Sequence, residues 1–302
     1  MDFSHSDQQI LLLDAVDKLL GKYAKTAHEK PAHIQYDSDL QRELFGGGFL
    51  TIAGQDDFNL LDAALLSERV ARLPLSVEAA ASSLVAPALG MRLEGPLALC
   101  EGVGVPTRYL SIARHLCLKL DGGLYSGELD SGDVAPIDGV LAYPMGVLHA
   151  PPCGMQKLDA ERSAKALIHW KIAIAAEAAG LMRGALDATV SYVKDRRQFN
   201  RPLGEFQAIQ HRLAICEQIV SGSHYLAMRA AWHPTARDAA AAALYVQQHM
   251  RTVVYDCHQF TGAMGVTLEY PLHLWTYRLK LLQGELGGWT AQARALAKSC
   301  WN

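Results

Sequence analysis

Through the first 90 positions, apolar residues recur at helical spacing. In "SDQQILLLDAVDKLLGKYA", Ser6 stands where a helix N-cap would, and Ile10, Leu11, Leu13, Val16, Leu19 and Leu20 form the repeating apolar set. That spacing predicts an amphipathic helix. Three glycines in "QRELFGGGFL" predict a turn between helices. "NLLDAALLSERVARL" predicts a further amphipathic helix, stopped by Pro74, and "VEAAASSLVAPAL" predicts an alanine-rich one.

From 93 to 158 the pattern changes. Short apolar runs ("RYLSIA", "LCLKL", "GVLAYPM") are separated by glycine and proline. They predict a small, irregular β section of two or three hairpins at most. Helical periodicity then returns. "SAKALIHWKIAIAAEAAGLMRGALDATVSYVKDRR" reads as one uninterrupted helix, and "EFQAIQHRLAICEQIVSGSHYLAMRAAW" as a second that ends near Pro234. "ARDAAAAALYVQQHMRTVVYDCHQFTGAMG" reads as a third, closed by glycines. "PLHLWTYRLKLLQGELGGWTAQARALAKS" reads as a fourth, or as two shorter helices split at Gly287-Gly288. The expected fold is mainly α: an N-terminal helical domain over 1–92, a reduced β-domain over 93–158 and a four-helix bundle over 159–302.

Composition narrows the function classes. Among 302 residues, half are hydrophobic, so a sizeable core is available. A formal charge of -3 and a pI near 6.4 carry no polyanion-binding signature, and nucleic acid is not an expected partner. The opening "MDFSHSDQQI" reads as having no signal peptide, and no uncharged apolar run is long enough to span a membrane. Cys100, Cys117, Cys153, Cys216, Cys257 and Cys300 form no CxxC pair and no cluster with histidine. No metal site is expected, and most cysteines read as small buried hydrophobes of a reducing cytoplasm.

One stretch stands out, "DRRQFNRPLGEFQAIQH", from Asp195 to His211. It interrupts an alanine- and leucine-rich half-chain with Arg196, Arg197, Arg201 and Phe199. On local physics it reads in two ways. Arginines at a helix C-terminus complement the helix dipole before a Pro-Gly turn. Alternatively, guanidinium groups and an aromatic face form a grip for a diphosphate and a ring.

The order of residues in "YVKDRRQFNRPLGEFQAIQHRLA" resembles the R-x-x-F-x-x-P-[LI]-x-x-[FH]-Q string of the acyl-CoA dehydrogenase family. "MDFSHSDQQILLLDAVDKLL", "RELFGGGFLTIAGQ" and "LLDAALLSERVARL" look like that family's first helices, and "QFTGAMGVTLEYPLHLW" is similar to its Q-x-x-G-G-x-G-x-T-x-E loop. The resemblance implies FAD and an acyl-CoA thioester dehydrogenated between Cα and Cβ, with a carboxylate base and the flavin as hydride acceptor. It implies that Arg196 and Phe199 reach across a subunit interface to a neighbour's FAD. Gln259 would meet the diphosphate with Gly262 behind it, and Gln207 matches the turn glutamine. Ala263 replaces the second glycine of the loop.

Two family features are missing. No T-E-P-x-x-G-S-D-like string for the flavin ring occurs between Leu93 and Met155. Of the two positions where the family places its glutamate base, one holds Trp170, beside Lys171. The other falls in "LLQGELGG", where Glu285 is about a residue out of register. Glu285 reads either as a base in an apolar pocket or as a solvated helix-end carboxylate. Glu269 reads as a loop brace, and His273 and Trp275 as packing or interface residues.

This split resembles the short subunit of the α2β2 acyl-CoA dehydrogenases of steroid catabolism. It implies that a second dehydrogenase subunit owns the flavin ring, the acyl-CoA substrate and the base, with an electron-transferring flavoprotein as acceptor. The alternatives are a self-sufficient homo-oligomer using Glu285 or Glu269, and a flavin-free binding scaffold on the same fold.

Overall fold

A computed structural model describes residues 4–24, 32–55 and 57–301. Helix α1 (Asp7–Leu20) starts where Ser6 and Gln9 cap each other reciprocally, satisfying two otherwise orphaned N–H groups. Its buried stripe is Leu12, Leu13, Val16, Leu19 and Leu20. Ile10 and Leu11, read from the sequence as part of the stripe, are 46% and 69% exposed. They lie off it because the stripe recurs from Leu12 at i+1, i+4, i+7 and i+8. Helix α2 (Ser38–Gly46) is capped by Asp37, and α3 (Leu60–Ala71) by an Asn59–Asp62 capping box. The alanine-rich segment becomes helical only at Ala80, not at Val77, and is not fully α. A π turn over Ala81–Val85 precedes α4 (Ala86–Leu89). Pro87 has no N–H and its ring would crowd the carbonyl four residues back, so the wider turn relieves the conflict.

The middle section is more elaborate than two or three hairpins. Strands β1 (Leu97–Cys100), β3 (His115–Leu120), β4 (Gly123–Glu128) and β7 (Gln156–Lys157) form one sheet, in the order β1-β3-β4-β7. Strands β2 (Thr107–Arg108), β6 (Met145–Leu148) and β5 (Val134–Ile137) form a second. The β1–β3 pairing is parallel, with Leu97 opposite His115. Turn chemistry cannot announce such a pair, because its strands are joined by a crossover rather than a hairpin.

The remainder is helical. Helix α5 (Ala160–Asp195) runs 36 residues from an Asp159 N-cap. A two-stranded ribbon, β8 (Arg197–Gln198) and β9 (Arg201–Pro202), separates it from α6 (Gln207–Trp232). Helix α7 (Ala236–Thr261) starts at a Thr235 cap. Helices α8 (Leu272–Leu282) and α9 (Gly288–Trp301) complete the chain, so the last helical segment is split, with a short 3-10 turn over Glu285–Gly287 between the two parts.

Two glycines on α5 set its closest contacts. A Cβ on Gly180 would stand 2.2 Å from the Glu68 carbonyl oxygen of α3. One on Gly184 would stand 2.3 Å from Trp275 Nε1 of α8. Arg278, also on α8, is buried and donates to the Leu73 and Leu75 carbonyls at 2.7 and 2.9 Å. These contacts lock the N-terminal helices onto the bundle. No helix among the described residues is long and apolar enough to cross a membrane.

Candidate functional site

The arginine-rich interruption is a tight hairpin. Arg196 closes α5, its N–H bonded to the Tyr192 carbonyl, and its own carbonyl accepts from the Leu203 N–H at 2.8 Å. The loop between β8 and β9 is two residues, Phe199 and Asn200, at φ +52° and +64°. Positive φ at both positions is the pattern of the type I′ hairpin turn, which asparagine tolerates and phenylalanine does so only with strain. Phe199 is 84% exposed on this strained tip. Such strain persists where the surrounding structure imposes it, and it clusters at functional positions. Phe206 stacks edge-on with Phe199 at 6.1 Å and lies 3.9 Å beneath the Arg201 guanidinium, which stiffens the base of the hairpin.

Below the hairpin, the end of α7 and the start of α6 enclose a cleft of about 480 Å³. Arg196, Gln259 and Gly262 all line it. Residues 63 positions apart in sequence, Arg196 and Gln259, thus share one wall-to-wall space. Gly262 has φ +58° and ψ −139°, a conformation essentially restricted to glycine, and a Cβ there would meet nothing within 4 Å. Glycine is therefore required by the backbone turn rather than by crowding. Phe199 and Gln207 do not line the cleft. Phe199 projects from the hairpin tip, and Gln207 is exposed at the first position of α6.

The two candidate base positions converge elsewhere. Trp170 on α5 is fully buried, and its Nε1 donates to Glu285 Oε2 at 3.4 Å. Arg108 on β2 donates from Nε to Glu285 Oε1 at 2.5 Å and from Nη1 to Glu177 Oε2 at 2.8 Å. Tyr143 donates to the other Glu177 oxygen at 2.8 Å. The side chains of Arg108, Glu177 and Glu285 are 5%, 7% and 11% exposed. Burial opposes the charge on Arg108, but Glu177 and Glu285 outweigh it and hold the guanidinium above its ordinary range. Glu285 is thus neither in an apolar pocket nor solvated. Its oxygens are occupied by Arg108 and Trp170, so removing a substrate proton would first require breaking a buried ion pair.

Other acids and bases fall into place around this network. Glu101, at the end of β1, accepts from the Leu286 N–H at 2.7 Å. Burial pushes its carboxyl upward, and the Glu285 charge adds to that. Lys171 is pushed below the usual lysine range by burial and by Lys119. Glu269 is exposed. His273 is buried between the Tyr270 and Ala32 carbonyls, and Trp275 donates to the Arg72 carbonyl at 2.9 Å, so both are packing residues.

Sequence reasoning missed Arg108, Glu177 and Tyr143. The only signal was a lone arginine in the apolar "VPTRYLSIA" and a lone glutamate in the alanine-rich centre of α5. Charges in such surroundings are costly unless paired, and each therefore implied a partner that sequence could not name.

Residues 161–299 match the model of the acyl-CoA dehydrogenase C-terminal domain. Among curated proteins, the probable acyl-CoA dehydrogenase YngJ of Bacillus subtilis is 32% identical over 131 residues, covering 42% of this chain and 34% of its own. The acyl-CoA dehydrogenase IpdE2 of Mycobacterium tuberculosis is 35% identical over 107 residues, covering 35% of this chain and 34% of its own. The matched region thus spans about a third of the length of these relatives.

Solved structures match over nearly the whole chain. The ChsE4-ChsE5 complex from Mycobacterium tuberculosis has a TM-score of 0.76 at 22% identity, covering 99% of both chains. The Tcur3481-Tcur3483 steroid ACAD G363A variant has a TM-score of 0.78 at 24% identity, covering 97% of both. Butyryl-CoA dehydrogenase from Megasphaera elsdenii has a TM-score of 0.79 at 21% identity, covering 100% of both.

Proposed function

We infer that this chain, an acyl-CoA dehydrogenase in the C-terminal domain of residues 161–299 and in its fold, is one half of a two-chain dehydrogenase, holding the phosphate end of a partner's FAD. One contrast carries the reading. Arg196, Gln259 and Gly262 surround an accessible cleft, whereas Trp170 and Glu285, at the two positions a base would take, are sealed against each other and Arg108.

The cleft suits a diphosphate. A guanidinium and a carboxamide supply directed donors, and the glycine turn leaves open space beside them. Leu203, Ile209 and Met264 add an apolar wall. Phe199, held outward on its hairpin, offers a ring face to a neighbouring chain. Bound FAD supplies hydride acceptance for α,β-dehydrogenation of an acyl-CoA. This chain's residues hold and orient its phosphates. The proton is removed by the partner, and an electron-transferring flavoprotein takes the electrons. The substrate we propose is a steroid-derived acyl-CoA. Two structural neighbours are a two-protein complex and a steroid ACAD, and the missing base here leaves the chemistry to a partner that handles a bulky thioester.

The test is flavin retention. In a complex co-purified with a full-length partner dehydrogenase, Arg196→Ala and Phe199→Ala should each speed flavin loss by about tenfold, less so in high salt for Arg196→Ala. Flavin loss unchanged in both variants contradicts the reading. A complex that is colourless from the start would favour a flavin-free scaffold instead.

A further inference from the structure

The cleft holds a second arginine that motif reading did not single out. Arg212, on the first turns of α6, lines the same space as Arg196 and Gln259. Its Nη2 donates to Asp256 Oδ1 on α7, three residues before Gln259. Asp256 is 3% exposed, so its carboxylate depends on that guanidinium, and Cys216 Sγ approaches its other oxygen at 3.5 Å. The rings of Tyr255 and Phe260 flank the guanidinium at 5.6 and 5.3 Å. An anchored carboxylate and two ring faces fix the plane of the fork. Its remaining N–H groups have no acceptor among the described residues. Arg196, by contrast, has no side-chain hydrogen bond or ion pair among the described residues.

We propose that Arg212, clamped by Asp256, is the fixed cation of this cleft and positions a phosphate group of the ligand, while Arg196 supplies an unpaired positive charge beside it. This role rests on the cleft's being a diphosphate site, as proposed above. Because Asp256 neutralises it, Arg212 acts through directed hydrogen bonds rather than net charge, whereas Arg196 contributes an un-neutralised charge that salt can screen. The two arginines should therefore differ in how salt modifies their loss.

The experiment is calorimetric titration of ADP into the two-chain complex stripped of flavin, across a potassium chloride series. Arg212→Gln should weaken ADP binding about tenfold with the salt dependence retained, and Arg196→Ala should weaken it while flattening the salt dependence. Arg212→Gln leaves Asp256 buried without its partner and lowers the melting temperature. The double variant R212Q/D256N removes both charges and should recover the melting temperature without recovering ADP affinity. A double variant that binds ADP as the wild type does would reduce Arg212 to a structural partner of Asp256 and overturn the proposal. A wild-type complex that binds no ADP would overturn the diphosphate reading of the cleft itself.

Discussion

Trp170 Nε1 lies 3.4 Å from Glu285 Oε2, and the two residues stand 115 positions apart in the chain. They occupy the two places where a dehydrogenase base was expected, so the two expectations describe one point in space. That point is closed by Arg108, which reaches in from β2 and ties Glu285 to Glu177. A buried guanidinium shared by two carboxylates holds the β section against the bundle. It also removes the lone pairs that proton abstraction would use.

Arg108→Met should therefore be strongly destabilising. It leaves two buried carboxylates without a counter-charge, at a cost of about 3–5 kcal/mol. The triple variant R108M/E177Q/E285Q should recover most of that loss. Urea denaturation of the three proteins checks it, and equal stability of Arg108→Met and wild type would contradict the ion-pair account.

Glu285→Gln separates structure from chemistry. If a partner supplies the base, turnover of the two-chain complex should stay within about twofold of wild type, while this chain's melting temperature falls. A loss of turnover of about a thousandfold or more, with unchanged flavin content, would instead make Glu285 the base.

Gly180→Ala tests the packing of α5 on α3. The added methyl would stand 2.2 Å from a backbone oxygen, which cannot rotate away. Overpacking of this kind should cost about 3 kcal/mol, measured as a shift in the urea midpoint. Gly46→Ala is the control, because its Cβ would meet nothing within 4 Å.

Much of this architecture was legible in the sequence, for identifiable reasons. Ser6, Pro74, the proline-free run of α5 and the glycines after α7 act locally, through caps, missing donors and backbone freedom. The elements they bound could be read from neighbouring residues alone. The hairpin string was legible too, because Arg196, Phe199 and the following proline lie within a few positions of each other. The Arg108 network was not. Its partners are 69 and 177 residues away, and nothing near "VPTRYL" specifies them. The same holds for the parallel β1–β3 pair and for Arg212, whose neighbour Asp256 is 44 positions distant.

Stability should fall on mild acidification. Burial holds His115, His169 and His258 below the ordinary histidine value of 6.5. As pH drops below that value the unfolded chain binds more protons than the folded one, so stability is lost there. A second loss follows in stronger acid. Burial opposes the charge on Glu68, but His224 and Arg72 outweigh it and hold the carboxyl below 4.5. That contribution is intact above 4.5 and disappears as pH falls through the lowered folded value. Melting temperatures from about pH 7.5 to about pH 3 should decline in these two stages. A profile flat down to about pH 5 would contradict the buried neutral histidines.

The division of labour between two chains is tested most directly by counting flavins. Absorbance and native mass of this chain purified alone, then co-purified with a full-length dehydrogenase partner, give the ratio of FAD to polypeptide. The account predicts no flavin on the chain alone and one FAD for every two chains in a yellow complex. One FAD per chain in the protein purified alone would contradict it.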